Sequence, residues 1–269
     1  MFNLLRMDLY RLKRSKALYG CLAFLLVTVF LCYAMLFLVG TPKGQELAPK
    51  IGMSQLVDTD GEEDILEGVD FVQMIRNSCM DGGAYNLTFG LLVAIFVCMD
   101  FQSGFIKNIM SLHRKRWKYV AGKLMVIGIA DVIYLLLCFG FGALMNVLFS
   151  YMVPFGRWQD VLFYLLWLWL VTMAFAALIL MICVFSRNMA LGVTAAILLG
   201  SGLVQVPLAS ITRWFRADGW FAATLYYNIT YGPSSYGGLA DLKVFMIGGA
   251  FFIIYSIISV IILTKQDAA

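Results

Sequence analysis

The chain has 269 residues, of which 62% are hydrophobic and only 13% are charged. Soluble domains are typically about 45–50% apolar and about 25% charged, so this composition excludes a soluble enzyme, a disordered scaffold and a disulfide-stapled secreted module. The net charge is only +4, but the basic residues are distributed unevenly along the chain.

Six long apolar runs predict an all-α membrane protein with six transmembrane helices, since roughly 20 helical residues cross a bilayer. The runs are continuous rather than alternating, which argues against a closed barrel. The first run is too long for an ordinary cleaved signal peptide and predicts a signal anchor. The predicted spans cover residues 17–39, 84–99, 124–152, 161–185, 189–209 and 244–263.

The distribution of Lys and Arg predicts a multi-pass protein of the cell membrane with both termini in the cytosol. Of the 20 basic residues, 13 lie in the N-terminal segment, in the loop between spans two and three, at Arg187 and at Lys265. The other seven are spread over the longer segments predicted on the opposite side.

Residues 1–16 predict an amphipathic helix lying in the membrane interface, because their apolar side chains recur every three or four residues. These side chains are Phe2, Leu5, Leu9 and Leu12. The alternative is a basic leader without fixed structure. Basic residues here and after span two are predicted anchors at the membrane interface, namely Arg6, Arg11, Lys13, Arg14, Arg116, Lys118 and Lys123.

Residues 41–83 form an acidic loop that is predicted to be extracytoplasmic. Its stretch Asp58–Asp64 has five acids in seven positions but no EF-hand spacing, which favours a solvated face over a metal site. Residues 71–80 predict a short helix that leads into span two. Cys79 is expected in this outer loop and the other five cysteines in spans, where we interpret them as apolar packing residues.

Residues 100–123 form a cytosolic loop that begins with an amphipathic pattern and then becomes strongly basic. Its apolar positions Phe101, Phe105, Ile109 and Leu112 predict a single helix. Such a helix could dock onto a soluble partner or lie on anionic lipid, and periodicity alone does not separate these two readings.

Residues 211–241 form a second extracytoplasmic segment, which is rich in aromatic residues and interrupted by Gly and Pro. Short re-entrant or interfacial helices before span six are one reading of this pattern. An ordinary belt of aromatic side chains at the membrane surface is the other.

No pattern of catalytic residues is present. His113 is the sole histidine, which excludes HExxH zinc sites, and no P-loop sequence occurs in the chain. Asp131 is the one charge inside a span. We favour a structural role, either paired with a polar group on a neighbouring helix or protonated, over a place in a proton relay or a substrate path. Gly192, Ala196 and Gly200 recur every four residues and predict close helix packing.

The loop after span two carries a recognisable motif, Asp100-Phe101-x-x-Gly104-x-Ile106-Lys107-Asn108, followed by Arg116-x-x-Tyr119-x-x-x-Lys123. Together with Met7-Asp8-Leu9-Tyr10-Arg11-Leu12 before span one, it resembles the type 2 permeases of ATP-binding-cassette (ABC) exporters. The order of interfacial helix, long outer loop, basic loop and broken segment before span six agrees with that family over the whole chain.

This resemblance implies a non-catalytic permease subunit in which residues 2–16 are an elbow helix and residues 211–241 hold outer re-entrant helices. It also implies a cytosolic coupling helix that docks in a partner P-loop ATPase. The coupling residues implied in this way are Asp100, Phe101, Gly104, Phe105, Ile106, Lys107, Asn108, Ile109 and Leu112.

The partners implied by the resemblance are two ATPase chains and a second permease chain, identical or a sister, within membrane lipid and without nucleic acid. This chain itself would bind no cofactor, because ATP and Mg²⁺ belong to the ATPase. The implied cargo, exported from the cytosol, is a peptide antibiotic or a lipid-like molecule. Two alternatives stay open at this point: an ATP-independent secondary transporter, and a membrane sensor or accessory protein.

Overall fold

The computed structural model describes residues 2–51, 69–81, 83–106, 116–149, 153–214 and 223–266, and within them every regular element is helical. The α-helices that lie wholly within these described residues are, in chain order, α1 (Phe2–Lys13), α2 (Lys16–Gly40), α3 (Pro42–Leu47), α4 (Phe71–Ile75), α5 (Ala84–Gln102), α6 (Trp117–Leu148), α7 (Trp158–Ser186), α8 (Met189–Gly200), α9 (Gln205–Trp214), α10 (Leu225–Tyr231) and α11 (Lys243–Gln266). Short 3-10 turns cover Ala48–Ile51 and Leu239–Leu242, and a π-helical turn covers Arg76–Asp81.

Five of the six predicted spans are confirmed as helices long and apolar enough to cross a membrane, namely α2, α5, α6, α7 and α11. The remaining predicted span, over residues 189–209, is not one continuous helix. Helix α8 has only 12 residues and reaches about 18 Å, well short of the roughly 30 Å of a hydrocarbon core.

The break after α8 has a local cause at Gly202. The φ angle of Gly202 is 77°, in the left-handed region that glycine enters without steric cost. A Cβ atom at this position would overlap the hydroxyl of Tyr226. The backbone therefore leaves the helix here, and the chain resumes as α9.

Helix α7 lies at the centre of the bundle, where it contacts α5, α6, α8, α10 and α11. In α5 and α7, two thirds of the most apolar 18-residue window are buried inside the protein, whereas in α2 and α11 the buried share is 17%. Helices α2 and α11 therefore present most of their apolar side chains to the outside, as helices in contact with lipid do.

The predicted close packing of α8 is confirmed. Gly192, Ala196 and Gly200 are the buried residues of this helix, and they face α5. A Cβ atom on Gly200 would lie 2.7 Å from the Cα atom of Leu87, so only glycine allows the two backbones to approach this closely.

The predicted short helix over residues 71–80 is confirmed as α4 and the π-helical turn. Cys79 is buried in this segment, and its sulfur lies 3.8 Å from that of Cys138. All six cysteines are free thiols. The acidic stretch Asp58–Asp64 lies outside the described residues.

Part of the predicted aromatic segment at residues 211–241 is a short helix packed into the bundle. Helix α10 contacts α7 and the π-helical turn. Just beyond α10, Arg76 donates a hydrogen bond to the carbonyl of Gly232 (3.2 Å), and the Trp167 indole donates one to the carbonyl of Pro233 (3.1 Å). These bonds hold the end of α10 against the bundle. Phe215, Trp220 and Phe221 lie outside the described residues.

Candidate functional site

Four charged side chains meet where α1, the end of α5 and the start of α6 come together. We call Asp8, Arg11, Asp100 and Lys123 the four-charge cluster. Asp8, Asp100 and Lys123 are fully buried, and the side chain of Arg11 is 29% exposed. Charged residues are almost never fully buried unless they are paired. This cluster is therefore the most unusual polar feature in the part of the chain that the structure describes.

Lys123 is the centre of the cluster. Its ammonium lies 2.7 Å from the Asp100 Oδ2 atom and 3.1 Å from the Asp8 Oδ1 atom. The same ammonium lies 3.9 Å from the centre of the Phe96 ring, where a cation–π attraction adds to the two ion pairs. One lysine on α6 therefore binds α1 and α5 at once.

Arg11 closes the other side of the cluster. Its guanidinium donates to Asp100 Oδ1 at 2.8 Å and lies 3.7 Å from Asp8 Oδ1. The guanidinium also lies over the Phe105 ring, 4.6 Å from its centre. Arg11 thereby connects α1 both to the end of α5 and to the segment that follows α5.

Local helix geometry brings these groups together. Asp8 and Arg11 are three residues apart and share one face of α1. Tyr119 and Lys123 are four residues apart on α6, and both contact Asp100, whose Oδ2 atom accepts the Tyr119 hydroxyl at 3.1 Å. Asp100 therefore receives donors from two helices.

The cluster contains two acids and two bases, so its formal charge is zero. Burial of the Asp8 carboxyl raises its pKa, although the Lys123 ammonium beside it acts to lower that pKa. The second oxygen of Asp8, Oδ2, is buried without a hydrogen-bond partner. Buried pairs of this kind add little net stability, but removing one partner leaves an uncompensated charge at high cost. We therefore expect α1, the end of α5 and the start of α6 to move together.

The coupling residues implied by the family resemblance occupy two different elements. Phe101 belongs to the last turn of α5, which ends at Gln102, and Gly104 then turns the chain with a φ angle of 68°. Phe105 and Ile106 follow the turn and pack against the core. The prediction of one continuous helix from Phe101 is therefore wrong, because the left-handed Gly104 interrupts it. Lys107, Asn108, Ile109 and Leu112 lie outside the described residues.

Two of the seven predicted membrane-interface anchors occupy a different environment. An anchor needs a charged group exposed at the surface, whereas Lys123 is buried and Arg11 is paired with Asp100. Their acidic partners, Asp8 and Asp100, allow these bases to lie inside the protein. A prediction that only counts basic residues in the loops does not consider such partners. The remaining five are exposed or half-buried: Arg6, Lys13, Arg14, Arg116 and Lys118.

Asp131 lies apart from the cluster, buried between α5, α6 and α7. It accepts hydrogen bonds from the Tyr85 hydroxyl and the Thr172 hydroxyl, both at 2.7 Å. These are polar groups on two neighbouring helices, the kind of pairing that we favoured from the sequence. The bonds hold three spans together at one point.

Three residues that contribute to the cluster are not among the site residues predicted from the sequence. Asp8 and Tyr119 stand inside the motif segments, so their spacing from Arg11 and Lys123 was a usable signal. Phe96 carried no such signal, because an aromatic residue inside a span is ordinary. Only its position under the Lys123 ammonium distinguishes it.

Comparison with known proteins agrees with this architecture. A family model described as ABC-2 family transporter protein matches residues 4–202, a range that includes the whole four-charge cluster. No curated protein matches the chain. The match covers well over half of the residues, and five apolar helices can span a membrane. The chain therefore belongs to the ABC-2 family of transporter proteins, the membrane-spanning permeases of ABC transporters.

Proposed function

We propose that this chain is the permease subunit of an ABC exporter, powered by a separate P-loop ATPase that binds ATP and Mg²⁺. Two permease chains would assemble with two ATPase chains in the plasma membrane, with both permease termini in the cytosol. The cargo would leave the cytosol, and its class would be a peptide antibiotic or a lipid-like molecule, as the resemblance implies.

The four-charge cluster is the observation that carries this proposal. It lies where the chain leaves α5 and enters the segment implied to contact the ATPase. Phe105, three residues beyond the end of α5, already touches Arg11. A force applied to this segment would reach α1, α5 and α6 through short ionic contacts of 2.7–3.1 Å.

The mechanism follows from differential binding. ATP binding closes the ATPase dimer, and the closed dimer displaces the segment that begins at Phe101. Because the cluster joins three helix ends, displacement of α5 also moves α1 and α6. ATP drives this change only to the extent that it binds the closed state more tightly than the open one. ADP and phosphate release then restores the first state.

The proposal predicts that a P-loop ATPase co-purifies with this chain, and that Phe105→Ala weakens the association. The substitution removes the ring beneath the Arg11 guanidinium and a packing surface of the docking segment. Loss of one well-packed aromatic contact is expected to cost about 2 kcal/mol, or roughly thirtyfold in affinity. Affinity purification from native membranes, with mass spectrometry of the bound proteins, measures this.

Gln102→Ala is the matched control, because Gln102 is exposed at the end of α5. It should retain the ATPase as the unmodified chain does. Purification of the unmodified chain without any ATPase would contradict the proposal. Transport that continues without an ATPase and stops when the proton gradient is collapsed would favour a secondary transporter instead.

A further inference from the structure

A long apolar groove lies between α6 and α11 on the outside of the bundle. Its volume is about 870 Å³. Helix α7 forms its floor through Trp169 and Met173, and Leu5 of α1 lies at one end. We call this the α6/α11 groove, and its walls include Trp117, Met125, Val132, Phe252, Ile257 and Ile261.

The groove offers little to a polar ligand. The hydroxyl of Ser256 bonds to the carbonyl of Phe252 in its own helix at 2.6 Å. The indole N–H of Trp169 bonds to the carbonyl of Gly128 at 3.3 Å. The remaining wall is almost entirely hydrocarbon, so a sugar or a peptide backbone would lose its hydrogen bonds to water without replacement.

The length of the groove matches one leaflet of a membrane. It follows α6 from Trp117 to Val132, a helical rise of about 22 Å. Half of a bilayer, from the midplane to the outer limit of the head groups, measures roughly 20–22 Å. Trp117 is exposed at one end of the groove, in keeping with the preference of tryptophan for the head-group level.

The groove is open along the surface of the bundle, and its wall is formed by apolar side chains of different sizes. A flexible hydrocarbon chain adapts to such a wall more readily than the fixed surface of a helix does. In a membrane such a space does not stay empty, because lipid chains are the surrounding solvent.

None of the residues that line the groove is charged, and basic residues lie just beyond one of its ends. Arg6 follows the lining residue Leu5, Lys118 follows Trp117, and Lys265 lies one helical turn beyond Ile261. Arg6 and Lys265 are exposed, and Lys118 is half-buried. At the opposite end, the charged residue next to Val132 is Asp131, which is buried and accepts hydrogen bonds from Tyr85 and Thr172 inside the bundle. A molecule with an apolar tail and an anionic head complements this arrangement.

We propose that the α6/α11 groove binds an acyl chain of an anionic phospholipid from the leaflet at the Trp117 end, with its phosphate near Arg6, Lys118 and Lys265. The site does not depend on the proposed ATPase partner. A lipid seated here would fill the space between α6 and α11 and support the inner half of both helices.

Native mass spectrometry of the detergent-purified full chain tests the head-group preference. Phosphatidylglycerol and phosphatidylcholine with identical acyl chains are added in equal amounts. The unmodified chain should retain phosphatidylglycerol preferentially. In the double variant Arg6→Gln/Lys265→Gln, the preference for phosphatidylglycerol should fall roughly thirtyfold, because each basic residue near the membrane surface contributes about 1 kcal/mol. The control Lys43→Gln/Arg157→Gln removes two exposed charges at the other end of the bundle and should keep it.

Filling the groove tests its location. Ala121→Trp and Ser256→Trp each place a large ring among the lining residues, and both should lose bound lipid. Ile133→Trp is the control, since Ile133 is exposed on α6 but does not line the groove. Two positions are used so that poor folding of one variant does not decide the outcome.

Equal retention of the two lipids by the unmodified chain would overturn the proposal. So would lipid retention by both groove-filling variants at the level of Ile133→Trp. The unmodified chain could instead form a dimer that separates in the groove-filling variants, with no lipid bound in any of them. That result would assign the α6/α11 groove to a second copy of the chain and would also overturn the proposal.

Discussion

Lys123→Met is expected to destabilise the isolated chain by about 3–5 kcal/mol, the usual cost of removing one partner from a buried ionic group. The substitution preserves most of the side-chain volume but leaves Asp8 and Asp100 with only Arg11 to balance them. It also removes the cation that lies over the Phe96 ring. Denaturant titration in mixed micelles, followed by circular dichroism, measures the free energy of unfolding.

Lys118→Met is the matched control on the same helix, because Lys118 is half-buried and lies five residues before Lys123. Its expected effect is within about 0.5 kcal/mol, as for most surface substitutions. The double variant Asp8→Asn/Lys123→Met should regain more than half of the lost stability, since Arg11 and Asp100 then remain as a neutral pair. A double variant no more stable than Lys123→Met would show that Asp8 and Lys123 do not act together.

Gly200→Ala is expected to destabilise the protein by about 1–3 kcal/mol although it adds a single methyl group. The new Cβ atom would lie 2.7 Å from the Cα atom and 2.8 Å from the nitrogen of Leu87. Both are backbone atoms, so no side chain can rotate away, and α8 must separate from α5. The same unfolding titration measures this loss.

Gly140→Ala is the control, and it is expected to raise the free energy of unfolding rather than lower it. Gly140 lies within α6, and a Cβ atom there would meet no atom within 4 Å. Replacing a helical glycine with alanine at such a position should stabilise the chain by about 0.5–1 kcal/mol. Equal effects of the two substitutions would show that helix propensity, rather than the contact with Leu87, sets the result at Gly200.

Much of the fold could be predicted because its signals are local. An apolar run long enough to cross a bilayer predicts a spanning helix without knowledge of its neighbours, and five spans were found this way. The small residues of α8 are likewise recognised from their spacing alone. The break between α8 and α9 was not predictable from hydropathy, because the apolar run continues past it. At the break, Gly202 has a left-handed φ angle and lies against the Tyr226 hydroxyl, and hydropathy reports neither feature.

The candidate site was only partly predictable, for a related reason. Asp100 and Arg11 are 89 residues apart in the chain, and Lys123 and Asp8 are 115 residues apart. Rules that count basic residues place Lys123 with the surface lysines, because its acidic partners lie on other helices. The segments that carry the family resemblance contain these four charges, and the structure shows how the charges meet.

We propose that the four-charge cluster couples ATP binding in a partner ATPase to the spans of this permease. Coupling of this kind is reciprocal, so the permease must change the affinity of its ATPase for ATP. The most direct test measures the affinity for ATP in three samples: the ATPase alone, its complex with the unmodified chain, and its complex with the Asp8→Asn/Lys123→Met variant. This variant is expected to fold although its cluster is weakened. We predict at least about a fivefold difference between the ATPase alone and the unmodified complex, the lower end of typical coupling. That difference should shrink towards none in the double variant. The same ATP affinity in all three samples would contradict the account.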